Sequence, residues 1–341
     1  MMLACNKKEK VPEVFLTKEN QKANTTVLLQ AISVLDSNNV WISGHEGTFC
    51  KTENGGAQWN CDQVNDFDTL QFRDIHALNL EEIILMSAGE GALSSIFKSF
   101  DRGENWERVY QMDHPEGFLD CLNFWDEQRG LAYGDSFDGY PFILTTTDGG
   151  QSWVRVSKEH LPEALDDEGG FAASGTCVEV QKGGLAWIGT GAGEFPRILI
   201  SEDYGKTWSY AKVPIVEGEA AGITSVSFIS QKLGTAVGGD LAKNDEYLEN
   251  TAFTTDGGKT WEKGNQPITK GSFYGSYSFK TEYDTLTFAC GPNGIDYSTS
   301  LLKNWTNLDT ASYWAVSFDG YNTGWATGPN GSIMKIRVSY K

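Results

Sequence analysis

The chain has 341 residues, with 46 acidic against 27 basic side chains and a formal charge of −19. That balance argues against a nucleic-acid partner, since phosphate backbones are held by lysine and arginine, and leaves cations, basic small molecules or basic protein patches as electrostatic matches. With 38 glycines, 11 tryptophans and 13 tyrosines, no sustained helical periodicity and no apolar run long enough to span a bilayer, the composition excludes helical and membrane-spanning classes and points to an all-β chain.

At the start, Met2, Leu3, Ala4 and Cys5 followed by Asn6-Lys7-Lys8-Glu9-Lys10 have the form of the end of a lipoprotein signal: a small residue before a cysteine, then a polar tether. We expect residues 1–10 to be a signal remnant and tether, acylated at Cys5, its apolar stretch lying upstream. The protein would then be exported and held at the cell envelope by a lipid anchor alone. Residues 11–341 are read as one domain, because no linker or low-complexity run interrupts them.

Next comes a β-prone stretch, Val11 to Leu16, and then seven openings of alternating apolar residues. They lie near Gln30–Leu35, Arg73–Leu78, Cys121–Phe124, Cys177–Val180, Ser225–Phe228, Ser276–Phe279 and Ala315–Phe318, with the period of half-buried strands. Each leads into a second strand that ends near glycine, as at Gly44, Gly134, Gly189 and Gly328.

A third strand runs into a recurring phrase. Residues 146–153 read TTDGGQSW, 201–208 SEDYGKTW and 254–261 TTDGGKTW, with weaker copies at 52–59, 99–106 and 298–305. An aspartate that accepts backbone N–H bonds, followed by glycine at positive φ, makes a tight hairpin corner, and the tryptophan after it anchors the fourth strand. Repetition at a period of roughly 45–55 residues means an array of equivalent units, of a size that suits propeller blades. Asn54, Trp59, Asp101, Trp106, Asp148, Trp153, Asp203, Trp208, Asp256, Trp261 and Trp305 are therefore assigned structural roles.

The phrase resembles the Asp-box, or BNR repeat, of sialidase-like propellers. From about residue 11 onward the layout, with residues 124–135 (FWDEQRGLAYGD), 171–177 (FAASGTC) and 237–240 (VGGD), resembles the photosystem II assembly factor group, the Ycf48- or Hcf136-like propellers, as found in non-photosynthetic bacteria. The expected fold is a seven-bladed β-propeller of four-stranded antiparallel blades. The last unit supplies only three strands, so the N-terminal stretch should complete the C-terminal blade and cover its edge. The ring is expected to be a monomer.

The resemblance places a functional site on the rim opposite the boxes. Binding candidates there are Glu90, Asp135, Asp138, Glu168, Ser174, Arg197 and Asp240, with His45, Glu46, Arg73, Asp113, His114, Glu194 and Tyr274 among other polar residues of the same rim. Two long segments, Lys158–Ser174 and Gly238–Asn250, exceed ordinary hairpin loops and are where function tends to sit. A short helical turn is expected over Leu161–Glu168.

Catalysis is harder to support. A sialidase needs three arginines on the substrate carboxylate, and of seven arginines only Arg73 and Arg197 are expected at the site rim. Carboxylate pairs such as Asp135 and Asp138 leave a glycan-acting hydrolase as the alternative to a non-catalytic binding propeller with a protein or glycan ligand. Gly189-Thr190-Gly191-Ala192-Gly193 is followed by a strand, not a helix, so no dinucleotide cofactor is expected.

Cysteine spacing supports no metal site. Cys50 and Cys61 flank the first box symmetrically and could face each other as a cross-strand disulfide. Cys121, Cys177 and Cys290 are expected to be buried free thiols.

Overall fold

The computed structural model describes residues 13–341, so the residue 1–10 tether and Cys5 lie outside the described residues. Twenty-eight strands form seven four-stranded antiparallel sheets arranged as the blades of a propeller. The innermost strands are β2 (Leu29–Val34), β6 (Phe72–Ala77), β10 (Leu119–Phe124), β14 (Val178–Gln181), β18 (Ala221–Phe228), β22 (Gly275–Lys280) and β26 (Ala315–Phe318). In the first six blades the strands run outward in chain order.

The seventh blade is closed by the two chain ends. β1 (Val14–Lys22) runs antiparallel along all of β28 (Ser332–Tyr340), from Val14 opposite Tyr340 to Lys22 opposite Ser332. This leaves β28 without a bare edge. Val14 and Leu16 pack on the apolar cluster around Ile336 and Val338, and Gln21 Oε1 accepts the Trp59 indole N–H at 3.0 Å, tying the closing strand to the first blade.

The core lies between blades. Ile84 and Met86 of the second blade, for example, pack with Leu122, Phe124 and Leu144 of the third, all almost fully buried. Each sheet is hydrophobic on both faces for this reason, and the ring is held by what adjacent sheets bury together.

All six phrase copies fall between the third and fourth strands of their blades, on one face of the ring. In the best copies the side chains satisfy the turn from within. Asp148 Oδ1 accepts the Ser152 N–H at 3.0 Å and Oδ2 its hydroxyl at 2.6 Å; Thr146 Oγ1 accepts the Gly150 N–H; and Trp153 Nε1 donates to Gly150 O. Asp203 and Asp256 repeat the pattern with Thr207 and Thr260. The weaker copies lose it in part: the Trp106 and Trp305 indole N–H groups are buried without a partner.

Cys50 and Cys61 stand opposite each other in the first blade and are joined by a disulfide. The expectation of free thiols is corrected for Cys121 and Cys177, which also form a disulfide. Cys121 lies on β10 and Cys177 just before β14, where adjacent blades converge, with Cα atoms 5.9 Å apart, a separation that disulfide geometry accepts. Cys290 is free and buried. The expected helical turn over 161–168 is also corrected: the helical turn is a 3₁₀ segment at Lys158–His160, and Pro162 follows it closely.

Candidate functional site

A repeated irregularity shapes the face opposite the boxes. The pairing of β2 with β3 (Val40–Gly44), of β6 with β7 (Ile83–Ser87) and of β10 with β11 (Gly130–Phe137) skips one residue on the inner strand, at Gln30, Arg73 and Asp120. A bulge of this kind leaves the extra residue unpaired and re-aims its side chain. All three side chains turn into one cavity at the mouth of the ring.

The glycines that end the second strands belong to the same device. A Cβ on Gly44 would come within 2.4 Å of Leu28 O, and one on Gly134 within 2.1 Å of Phe118 O. Those carbonyls then accept the N–H of the next residue, His45 or Asp135, at 3.0 Å, and so fix both at the cavity wall.

The cavity holds about 420 Å³ and is lined from six blades, by Gln30, His45, Arg73, Asp120, Asp135, Tyr274 and Trp314 with Phe118, Leu28 and Leu241, and by residues 170–173. Residues 170–176 form its floor. Gly170 N–H donates to Asp135 Oδ1 at 2.9 Å, Gln30 Nε2 to Ala172 O at 2.9 Å, and Ser174 Oγ to Tyr274 O at 2.7 Å, while Thr176 Oγ1 donates to Ser225 Oγ. Gly175, at φ +74°, passes so close to Asp74 that a Cβ would lie 2.3 Å from its carboxyl oxygen. The floor thus crosses the ring and is held by four blades besides its own neighbours.

Below the floor a second cavity of about 210 Å³ follows the ring axis between the inner strands. Burial raises Glu179 there to about 8, against the hydrogen bond from the Phe228 backbone, and lowers His76 to about 4.

Electrostatics in the upper cup are set by two carboxyls and one guanidinium. Burial, then the charge of Asp135 and a hydrogen bond shared with it, push Asp120 well above the carboxylate range; Asp135 is raised by burial too, against the Gly170 N–H and the Asp120 bond. Asp120 Oδ2 is buried and receives no donor from the described residues. Arg73 spends Nε and Nη2 on Gln71 Oε1, at 3.1 and 2.5 Å. Burial and then Arg73 lower His45, whose Nε2 lies 2.9 Å from Gln30 Oε1 and so bears the proton of the neutral ring.

Of the seven sequence-predicted binding residues, the cup contains Asp135 alone. Glu168 and Arg197 are each 1 % exposed and spent on each other: Arg197 Nε and Nη2 donate to the Glu168 carboxylate at 2.6 Å, and Thr190 and the Leu165 N–H complete its shell. A buried, fully paired ion pair has nothing left to offer a ligand; this one clamps the long Lys158–Ser174 segment onto the fourth blade. Ser174 is buried in the floor.

Asp240 is buried and holds its own loop through Ala242 N–H and Lys243. Asp138 sits exposed at a hairpin tip with φ +56°, and Glu90 is exposed on the loop after β7; neither lines the cup. Sequence reasoning missed Gln30, Asp120 and Trp314. The glycine after each second strand was the available signal for the first two, because such a glycine marks a bulge opposite it.

Among the described residues no three or more His, Cys, Asp or Glu side chains are gathered as metal ligands. The BNR/Asp-box repeat model matches residues 252–263. No curated protein sequence matches the chain. Among solved structures, YCF48 from Cyanidioschyzon merolae is similar at TM-score 0.67 and 15% identity over 94% of this chain and 98% of that one. A structure described as YCF48 bound to D1 peptide gives 0.65 and 14%, over 93% and 96%. The GH74 xyloglucanase from Xanthomonas campestris gives 0.61 and 13%, over 93% of this chain and 53% of that one. At such identities the likeness is one of fold.

Proposed function

We propose that this protein is a non-catalytic binding propeller that takes a segment of a partner into the cup opposite the Asp-box face. The observation that carries this is the cup itself: a walled cavity whose polar side chains are aimed by three inner-strand bulges and whose base is a built floor. Such a rigid ring with one irregular mouth is the arrangement in which binding residues are carried by loops on a scaffold. The fold shared with YCF48 supports a binding or scaffolding role in general, and its description with a bound peptide supports a partner segment as the occupant.

We place the protein outside the cytoplasm, as a monomer tethered through Cys5. Two disulfides support an oxidising compartment. Metabolic labelling with a palmitate analogue would mark the wild type and spare Cys5→Ser; label on both would refute the anchor.

The geometry disfavours the hydrolase alternative. A glycosidase needs two carboxyls flanking one scissile bond, whereas of the expected pair only Asp135 lines the cup and Asp138 is exposed at a hairpin tip outside it. Turnover of a fluorogenic sugar panel that vanished in Asp135→Ala would reverse this assignment.

The test of the binding reading is capture of partners from a native envelope fraction on wild type, on Tyr274→Ala/Trp314→Ala, and on Asp256→Ala at the other face. Loss with the cup variant alone supports it. Equal capture by all three overturns it.

A further inference from the structure

The cup's charge arithmetic points to a ligand class. Four aromatic side chains, Phe118, Phe171, Tyr274 and Trp314, contribute to its walls, and the last two meet edge to face with centroids 5.0 Å apart. The same cavity is lined by two carboxyls and one guanidinium, and the guanidinium is already engaged by Gln71 Oε1. The molecule as a whole carries −19. Aromatic faces next to carboxylates in a strongly negative field form a receptor for a cation.

Resting on the reading of the cup as the binding site, we propose that it receives an ammonium group, presented by a lysine side chain or a peptide amino terminus or by a free polyamine, which lodges against Tyr274 and Trp314 and pairs with the Asp120–Asp135 carboxyls. A neutral sugar would be held by the same walls without changing any charge. An ammonium does change it. A cation close to the two carboxyls favours the ionised form of both. Binding therefore shifts the pair toward ionisation, and the affinity rises with pH.

The groups that face Asp120 set that response. They are Asp135 and Tyr133 on β11, Arg73 on β6, and Asp74, which accepts the Leu122 N–H two residues along from Asp120. His45 lies beyond Arg73, and Glu168 with Arg197 beyond Tyr133. Burial and Arg73 lower His45, and Glu168 and Arg197 are spent on each other, so the Asp120–Asp135 carboxyls are the groups whose ionisation an incoming cation shifts.

Isothermal titration of the whole protein with spermidine, with an N-acetylated lysine-containing peptide, with that peptide acetylated on lysine as well, and with a panel of neutral oligosaccharides tests this. The measurement is made at two pH values and in buffers of different ionisation heat. We expect binding of the first two probes with net proton release, and at least about tenfold weaker binding after lysine acetylation, the size of one lost buried charge contact. Asp135→Asn, which keeps the side-chain shape, should weaken ammonium binding by a similar factor with little change in melting temperature, and Asp256→Ala should leave it unaltered.

Spermidine binding without the peptide would assign the cup to free polyamines; the reverse would assign it to protein amines. Oligosaccharide binding without proton release, or no ammonium binding at all, overturns the proposal. In that case, partner capture that still depends on Tyr274 and Trp314 would leave the binding function standing, whereas capture independent of them would remove both.

Discussion

The two faces of the ring use the same residue type in opposite ways. On the box face, Asp148, Asp203 and Asp256 are partly buried, which works against ionisation, yet the hydroxyl and N–H donors of their own turns hold all three below the usual carboxylate range. On the cup face, Asp120 is buried and Asp135 partly so, and burial outweighs their donors and raises both. A carboxylate satisfied within eight residues of chain is spent on folding. One whose neighbours come from other blades is left with unmet demand, and that demand is what a ligand can answer.

The comparison can be broken at several points. The largest effect is expected at the clamp behind the cup: Arg197→Met leaves Glu168 charged and buried, and should cost about 3–5 kcal/mol in chemical denaturation, with the Arg197→Met/Glu168→Leu double variant recovering part of it. A loss under 1 kcal/mol would mean the pair is hydrated and not a clamp.

A box comes next. Asp256→Ala removes the acceptor for the Thr260 N–H and hydroxyl and should cost about 2 kcal/mol, while ligand capture at the cup is kept; loss of capture would join the two faces functionally.

Glu179 gives a change of the other sign. Its acid is raised from 4.5 to about 8 in the folded ring, so between those values the unfolded chain has lost a proton that the native state retains, and stability falls as pH rises. Glu179→Gln should therefore raise stability at pH 8 and do little at pH 4. Equal gains at both would show that the channel does not hold the acid protonated. Smallest is the seam of the closing blade: Gln21→Ala leaves the Trp59 indole N–H unmatched and should lower stability by about 1 kcal/mol, read as a melting-temperature shift.

Much of this molecule was legible in the amino-acid order. The seven units, the hairpin corners, the completion of the last blade by the first strand and the Cys50–Cys61 register all follow from local rules, since a turn, a strand period and a hairpin partner are decided within a dozen or so residues. His45, Arg73, Asp135 and Tyr274 were expected on the rim opposite the boxes by the same logic, and all four line the cup. Glu168, in a long loop, and Arg197, at the edge of a loop within its blade, misled because charge at such places reads as exposed. Only the folded packing shows that the two charges, 29 residues apart, cancel in the interior.

What the sequence determined by itself was the ring and its repeated corners, because each is built from contacts between chain neighbours. The tertiary structure alone decided the cup: the bulges that turn Gln30, Arg73 and Asp120 inward, the floor laid across the axis by residues 170–176 and the Cys121–Cys177 link. Each of these depends on which blades meet at the axis. Ring closure sets that, and no local pattern encodes it.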